Sequence, residues 1–150
     1  MDYCNSLFYN MKESDYNRLQ RIQNHAARII TLTRKYDHIT PVRMALHWLP
    51  VRQRVEYKIL LTTYKALNNL APEYISTLVK PYVPARPLRS AEQYRLRPTF
   101  DYRLESYGGR AFSTAAPRLW NELDHEIKIA KNLDMFKSLL KTYLFKKAYL

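Results

Sequence analysis

Between positions 51 and 67 the chain has neither glycine nor proline. Val55, Ile59, Thr62 and Ala66 recur there at three- and four-residue steps, the period of one helix face. Leu60, Leu61, Tyr64 and Leu67 widen that face, so this helix needs neighbours on several sides. The pattern predicts a central helix over 51–68. Pro50 stands at its entrance, and Asn68 and Asn69 at its exit, where asparagine tolerates the left-handed conformation. Upstream, Leu19, Ile22, Ala26 and Ile29, with Ile30 beside them, make the apolar stripe of a first helix. Ser14 reads as its N-cap, although Asn17 replaces the usual capping-box acid, and the helix frays near Thr31–Thr33. Thr40–Pro41 reads as N-cap and first helical residue of a short segment carrying Val42, Ala45 and Leu46.

Pro72 opens another short helix, with Tyr74, Ile75, Leu78 and Val79 as its buried side. Near the end of the chain, Phe112, Ala115, Leu119 and Leu123 share a face of a helix bent or restarted at Pro117. Asn132 caps the last helix, and Asp134 sits in its first turn, where the dipole favours an acid. Leu133, Phe136, Leu140 and Leu144 form its inner face, flanked by Leu139 and Tyr143. Before all of this, Tyr3, Leu7, Phe8 and Tyr9 make an apolar start that packs either on the domain or on something preceding it.

The segment 81–110 breaks the helical pattern. Pro81, Pro84, Pro87 and Pro98 forbid a long regular helix. Arg95-Leu96-Arg97 and Tyr102-Arg103-Leu104 alternate with a period of two, which suits short extended pieces or a small hairpin. Gly108–Gly109 is a turn, with one of the pair expected at positive φ. The fold class is therefore mainly α: a single helical domain of five to seven helices. Residues 1–80 and 111–150 are helical, and a Pro/Arg-rich connector of irregular structure, with room for a short β hairpin, lies between them.

Composition adds a charge. The chain of 150 residues carries 25 Lys plus Arg against 13 Asp plus Glu, a net charge of +12. Such a field points to a polyanionic partner, or else only to self-repulsion between soluble copies. From Arg86 to Arg118 every positive residue is arginine, seven in all, interleaved with Tyr94, Phe100, Tyr102 and Tyr107. Arginine offers a planar fork to phosphates, and tyrosine a face to unpaired bases. The same composition equally describes a loop pinned over the core by rings and guanidinium stems. On the first helix Arg21 and Arg28 lie seven apart near Arg18, as either a phosphate-contact ridge or a solvated face.

Other chemistries find little support. The aspartates are dispersed, with no adjacent pair for two-metal catalysis. His25, His38, His47, His125 and Cys4 lack the spacing of a zinc finger. No glycine loop for a nucleotide and no nucleophile elbow around Ser113 is present. One cysteine excludes an internal disulfide, no stretch has the length of a membrane span, and no signal peptide is seen. The expectation is a protein without catalytic residues, cofactor or metal.

Several blocks of the chain resemble one family. Leu19 to Arg28, LQRIQNHAAR, is followed by Lys35 to Pro41, KYDHITP, and Leu46 to Val51, LHWLPV. Lys58 to Pro72, Leu88-Arg89-Ser90, Tyr107 to Phe112, Ala115 to Asn121 and Phe136 to Phe145 come next. In this order, over about residues 3–149, they resemble the C-terminal segment of LINE-type non-LTR retrotransposon reverse transcriptases, the part after the polymerase palm and thumb. The family's adjacent catalytic aspartates and its endonuclease have no match here. The chain departs from the pattern at Asn69 (usually Gly), Gly109 (usually acidic), Asp124 (usually Pro) and Tyr143 (usually His). The abrupt start at Met1–Asp2 fits a truncated element copy.

The resemblance implies binding of element RNA or target DNA without polymerisation, in the nucleus or cytoplasm, and a docking site for the preceding polymerase domain. Arg21, Arg28, Arg89, Arg95, Arg97 and Arg103 are the nucleic-acid-binding candidates, expected to share one continuous face. Trp48, Pro50, Pro117 and Trp120 are assigned to structure. The alternatives are a module that docks on the polymerase thumb and a fragment with no activity of its own.

Overall fold

The computed structural model describes residues 4–84, 94–99 and 108–150. A 3-10 turn at Asn5–Phe8 precedes seven α-helices among the described residues. These are α1 (Glu13–Thr31), α2 (Ile39–Ala45), α3 (Val51–Leu67), α4 (Glu73–Ser76), α5 (Phe112–Glu122), α6 (His125–Lys128) and α7 (Leu133–Tyr149). The mainly α fold matches the sequence pattern. Helix α3 is the hub and touches the N-terminal turn, α1, α4, α5 and α7. Val51, Val55, Ile59, Leu60, Thr63, Tyr64 and Ala66 are its buried positions, together with Glu56. Thr63 is buried where the period pointed to Thr62, and its hydroxyl bonds the Ile59 carbonyl one turn back. No helix of the described residues is long and apolar enough to cross a membrane.

The core lies where α3, α5 and α7 meet. Phe136 and Leu140 are fully buried, with Leu144, Trp120, Ala115 and Leu119 around them. Tyr64 stacks on Phe136 at 4.1 Å between ring centroids, and its hydroxyl donates to the Ala130 carbonyl. Helix α7 starts as expected, with Asn132 Oδ1 accepting the Met135 N–H at 2.7 Å. At the exit of α3, Asn69 takes φ 56° and the Leu70 N–H returns to the Lys65 carbonyl at 2.8 Å. Phe8, Tyr9 and Met11 pack against the core, whereas Leu7 is exposed and Tyr3 lies outside the described residues.

Helix α1 corrects the hydrophobic reading. Its stripe of isoleucines points outward, with Ile22 58 % and Ile29 74 % exposed. The inner face is Tyr16, Gln23 and Ala27, with half-buried Gln20 on the same side. The reason lies at the N-terminus of α3, whose first N–H groups lack intrahelical acceptors. Gln20 Oε1 accepts the Val51 N–H at 3.0 Å. Gln23 Nε2 donates to the Leu49 carbonyl at 2.9 Å, and Gln20 Nε2 ties the two side chains together at 2.8 Å. Gln20 thus does what an N-cap side chain would do, since Pro50 at the cap supplies none, and Gln23 pairs the Leu49 carbonyl just before the helix.

Other expectations shift by small steps. Lys12, not Ser14, precedes α1, and His38, not Thr40, precedes α2. Around α4 only Val79 is buried and Ile75 half-buried, while Tyr74 and Leu78 are exposed. Neither Gly108 nor Gly109 takes positive φ. Gly109 is buried instead, a place with no room for a side chain. Pro117 stays inside an unbroken α5. It cannot donate to the Ser113 carbonyl, and the Thr99 hydroxyl supplies that bond at 2.7 Å.

The extended piece at Arg95–Arg97 pairs with Lys80–Tyr82 through two backbone hydrogen bonds around one antiparallel bridge, Pro81 to Leu96. The described residues hold no β-sheet beyond it. Tyr102–Leu104 lies outside the described residues.

Candidate nucleic-acid interface

One ridge of α3 carries Arg54, Lys58, Leu61, Lys65 and Asn68, spaced by four, three, four and three residues, so they align along the helix. The ridge runs about 21 Å from first to last. A groove opens at its N-terminal end and a cleft at its C-terminal end.

The groove, of about 450 Å³, is lined by Asn5, His47, Trp48, Leu49, Arg54, Tyr57, Lys58, Leu61 and Lys141. Helix α7 brings Lys141 across from α3. The α2–α3 loop brings Trp48, whose backbone carbonyl is held by the Tyr149 hydroxyl at 2.6 Å. Among the described residues no carboxylate lines the groove. Lys58 and Lys141 are exposed and form no ion pair among the described residues. Burial raises the Tyr57 phenol above its ordinary pKa, opposed by nearby Lys137.

The cleft, of about 410 Å³, is lined by Leu67, Asn68, Pro81, Tyr94, Arg95, Leu96, Trp120, Lys128, Ile129 and Ala130, again without a carboxylate among the described residues. Asn121 builds it. Its side-chain oxygen accepts the Leu96 N–H and its amide donates to the Leu96 carbonyl, both at 2.9 Å. The amide side chain thereby imitates a neighbouring strand and turns Leu96 inward, to 2 % exposure. Arg95 and Arg97 on either side are exposed. Trp120 closes the floor, its indole N–H donating to the Tyr94 carbonyl at 2.8 Å. Burial first, and then the repulsion of Arg95, lower the Lys128 pKa against the pull of Asp124. A phosphate beside the two cations would relieve that repulsion.

The arginines singled out from sequence fall into two groups. Arg21 is exposed on α1, next to the Gln20 that caps the N-terminus of α3. Arg95 lines the cleft beside Leu67 and Asn68 at the other end of that helix. Arg28 has a local duty: its guanidinium holds the α1–α2 loop by the Arg34 and Asp37 carbonyls at 3.1 and 3.0 Å. Arg89 and Arg103 lie outside the described residues. Trp120 lies in the core, Pro117 inside a helix and Pro50 at a helix entrance. Trp48 lines the groove half-buried.

Sequence reasoning missed Arg54, Lys58, Lys65 and Lys141. The spacing of the first three along one face of α3 was a visible signal. Lys141 was not, because 83 positions separate it from Lys58. Among the described residues no cluster of His, Cys, Asp and Glu could hold a metal ion. Comparison of the chain with protein-family models, with curated proteins and with solved structures returned no match.

Proposed function

We propose that this chain is a non-catalytic nucleic-acid-binding domain that contacts RNA or DNA through the α3 ridge and the two basic recesses it joins. The observation that carries the reading is the arrangement itself. Arg54, Lys58 and Lys65 run between two recesses that add Lys141, Arg95 and Lys128, both lined with aromatic rings and, among the described residues, free of carboxylates. Phosphates answer such a surface electrostatically, and the net charge of +12 brings them to it. The sequence resemblance to the C-terminal segment of LINE-type reverse transcriptases supports the same reading and suggests element RNA or target DNA as the partner.

A salt titration tests it. Binding of a fluorescent single strand and a matched duplex, in RNA and in DNA, is followed from about 50 to 200 mM salt. The expected outcome is a log–log slope equal to several released counterions. Replacing both Arg95 and Arg97 by alanine lowers the slope by one to two. Binding that does not respond to salt, or a double variant with the original slope, sinks the proposal.

The docking alternative keeps one specific observation in its favour, the exposed Ile22, Ile29, Ile30 and Leu32 on and beside α1.

A further inference from the structure

We infer that the groove between α3 and α7 is a seat for one unpaired nucleotide of a single strand, its base against Trp48 and Tyr57 and its phosphates on Lys58 and Lys141. The inference rests on the nucleic-acid reading and adds to it a form of nucleic acid and a contact site.

The two tryptophans differ in a telling way. Trp120 is 2 % exposed, and its indole N–H is satisfied by the Tyr94 carbonyl. Trp48 is half-buried on the groove wall, and its indole N–H has no acceptor among the described residues. A tryptophan used only for packing hides both its ring and its N–H. Here a ring face and a donor are offered to the same recess. Tyr57 adds a second aromatic ring to the groove wall. His47 stands at the rim, stacked on Phe145 with centroids 6.0 Å apart.

Size and charge narrow the ligand. A volume of about 450 Å³ suits one nucleotide and is at the small end of ligand sites generally. Lysines on opposite walls, one from α3 and one from α7, neutralise a phosphate on either side of a seated base. A base held in a duplex has both faces stacked and cannot enter. The groove therefore selects unpaired strands, which bind such surfaces by ring stacking with little regard to sequence.

The decisive readout is tryptophan emission of the unaltered protein on titration with a 12-nucleotide single strand, its matched duplex, and polyglutamate of equal charge. Trp48 lines this groove and Trp120 the floor of the cleft, so the single strand should quench emission saturably, duplex and polyglutamate should leave it nearly unchanged, and the quench at saturating strand should be lost in Trp48→Leu. Trp48→Leu and Tyr57→Leu should each weaken single-strand binding about tenfold or more with the salt slope and duplex binding intact. Lys58→Ala with Lys141→Ala should lower the single-strand slope by about 1.4.

Salt-dependent binding without quenching, or equal losses for strand and duplex in both ring variants, overturns the nucleotide seat and leaves the broader reading standing. Quenching by polyglutamate as strong as by the strand overturns it in favour of a general anion groove. No salt-dependent binding of any form overturns both.

Discussion

Gln23 is 3 % exposed in a helix whose isoleucines face water, and hydrogen bonding explains the inversion. Burying an amide is favourable only when its polar atoms are paired. Gln23 meets that condition through the Leu49 carbonyl and Gln20. Gln23→Leu would keep the volume and strand the Leu49 carbonyl, at a cost of about 1–3 kcal/mol. Ile29→Gln, on the outer face, should change stability by less than about 0.5 kcal/mol. Urea unfolding of the two variants checks the pair. Equal losses would mean that the isoleucine stripe is the buried one. Apolar periodicity alone selects the wrong face here, because it does not register a polar side chain that caps a different helix. The same holds for Arg28: its spacing from Arg21 read as a phosphate ridge or a solvated face, and did not register that its guanidinium bonds the Arg34 and Asp37 carbonyls of the following loop.

Elements whose boundaries are set by local chemistry were legible from sequence. The Asn132 cap, the left-handed Asn69 and the inner face of α7 follow from residue type and period. Helix α5 was legible only in part, because its continuity through Pro117 depends on a residue 18 positions away. Thr99 supplies the hydrogen bond that proline withholds from Ser113, and it also approaches the Thr114 hydroxyl at 3.4 Å. Thr99→Val should therefore cost about 1–2 kcal/mol in the original chain. In a Pro117→Ala background the new N–H at 117 can reach Ser113, and the cost of Thr99→Val should fall by at least half. A double-mutant cycle measures this coupling. Additive losses would show that Thr99 acts by packing alone. The groove was illegible for a related reason: Lys58 and Lys141 meet only because α7 returns along α3, and no local pattern records that return.

At the scale of the whole molecule, burial of polar aromatic rings makes stability depend on alkaline pH. Tyr9, Tyr16, Tyr57, Tyr143 and Tyr149 are all raised above the ordinary phenol value of 10.0, in each case chiefly by burial. Two of them also donate to carbonyls, Tyr16 to Phe8 and Tyr149 to Trp48, both at 2.6 Å. A raised phenol favours the folded state fully below pH 10. Above it the unfolded chain loses the proton first, so stability falls as pH climbs toward the folded values. Lys147, raised by Glu56 against the effect of burial, acts in the same direction. Lys128, lowered by burial and Arg95, acts in the opposite one. A second effect also opposes the tyrosines. Loss of lysine protons shrinks the net charge of +12 and relieves self-repulsion. Salt separates the two. At 1 M ionic strength the screening length is about 3 Å, so repulsion between distant charges is suppressed while the burial of the phenols is untouched. Urea midpoints at 1 M salt should therefore hold steady to about pH 9.5 and fall steeply above pH 10. At 20 mM salt the fall should be shallower, because the relief of repulsion offsets part of it. Tyr149→Phe should flatten the high-salt curve, since it removes one phenol that the folded state keeps protonated. A midpoint that rises through pH 10 in 1 M salt would mean that these rings ionise as readily folded as unfolded, and the hydroxyl contacts of Tyr16 and Tyr149 would then carry no stability.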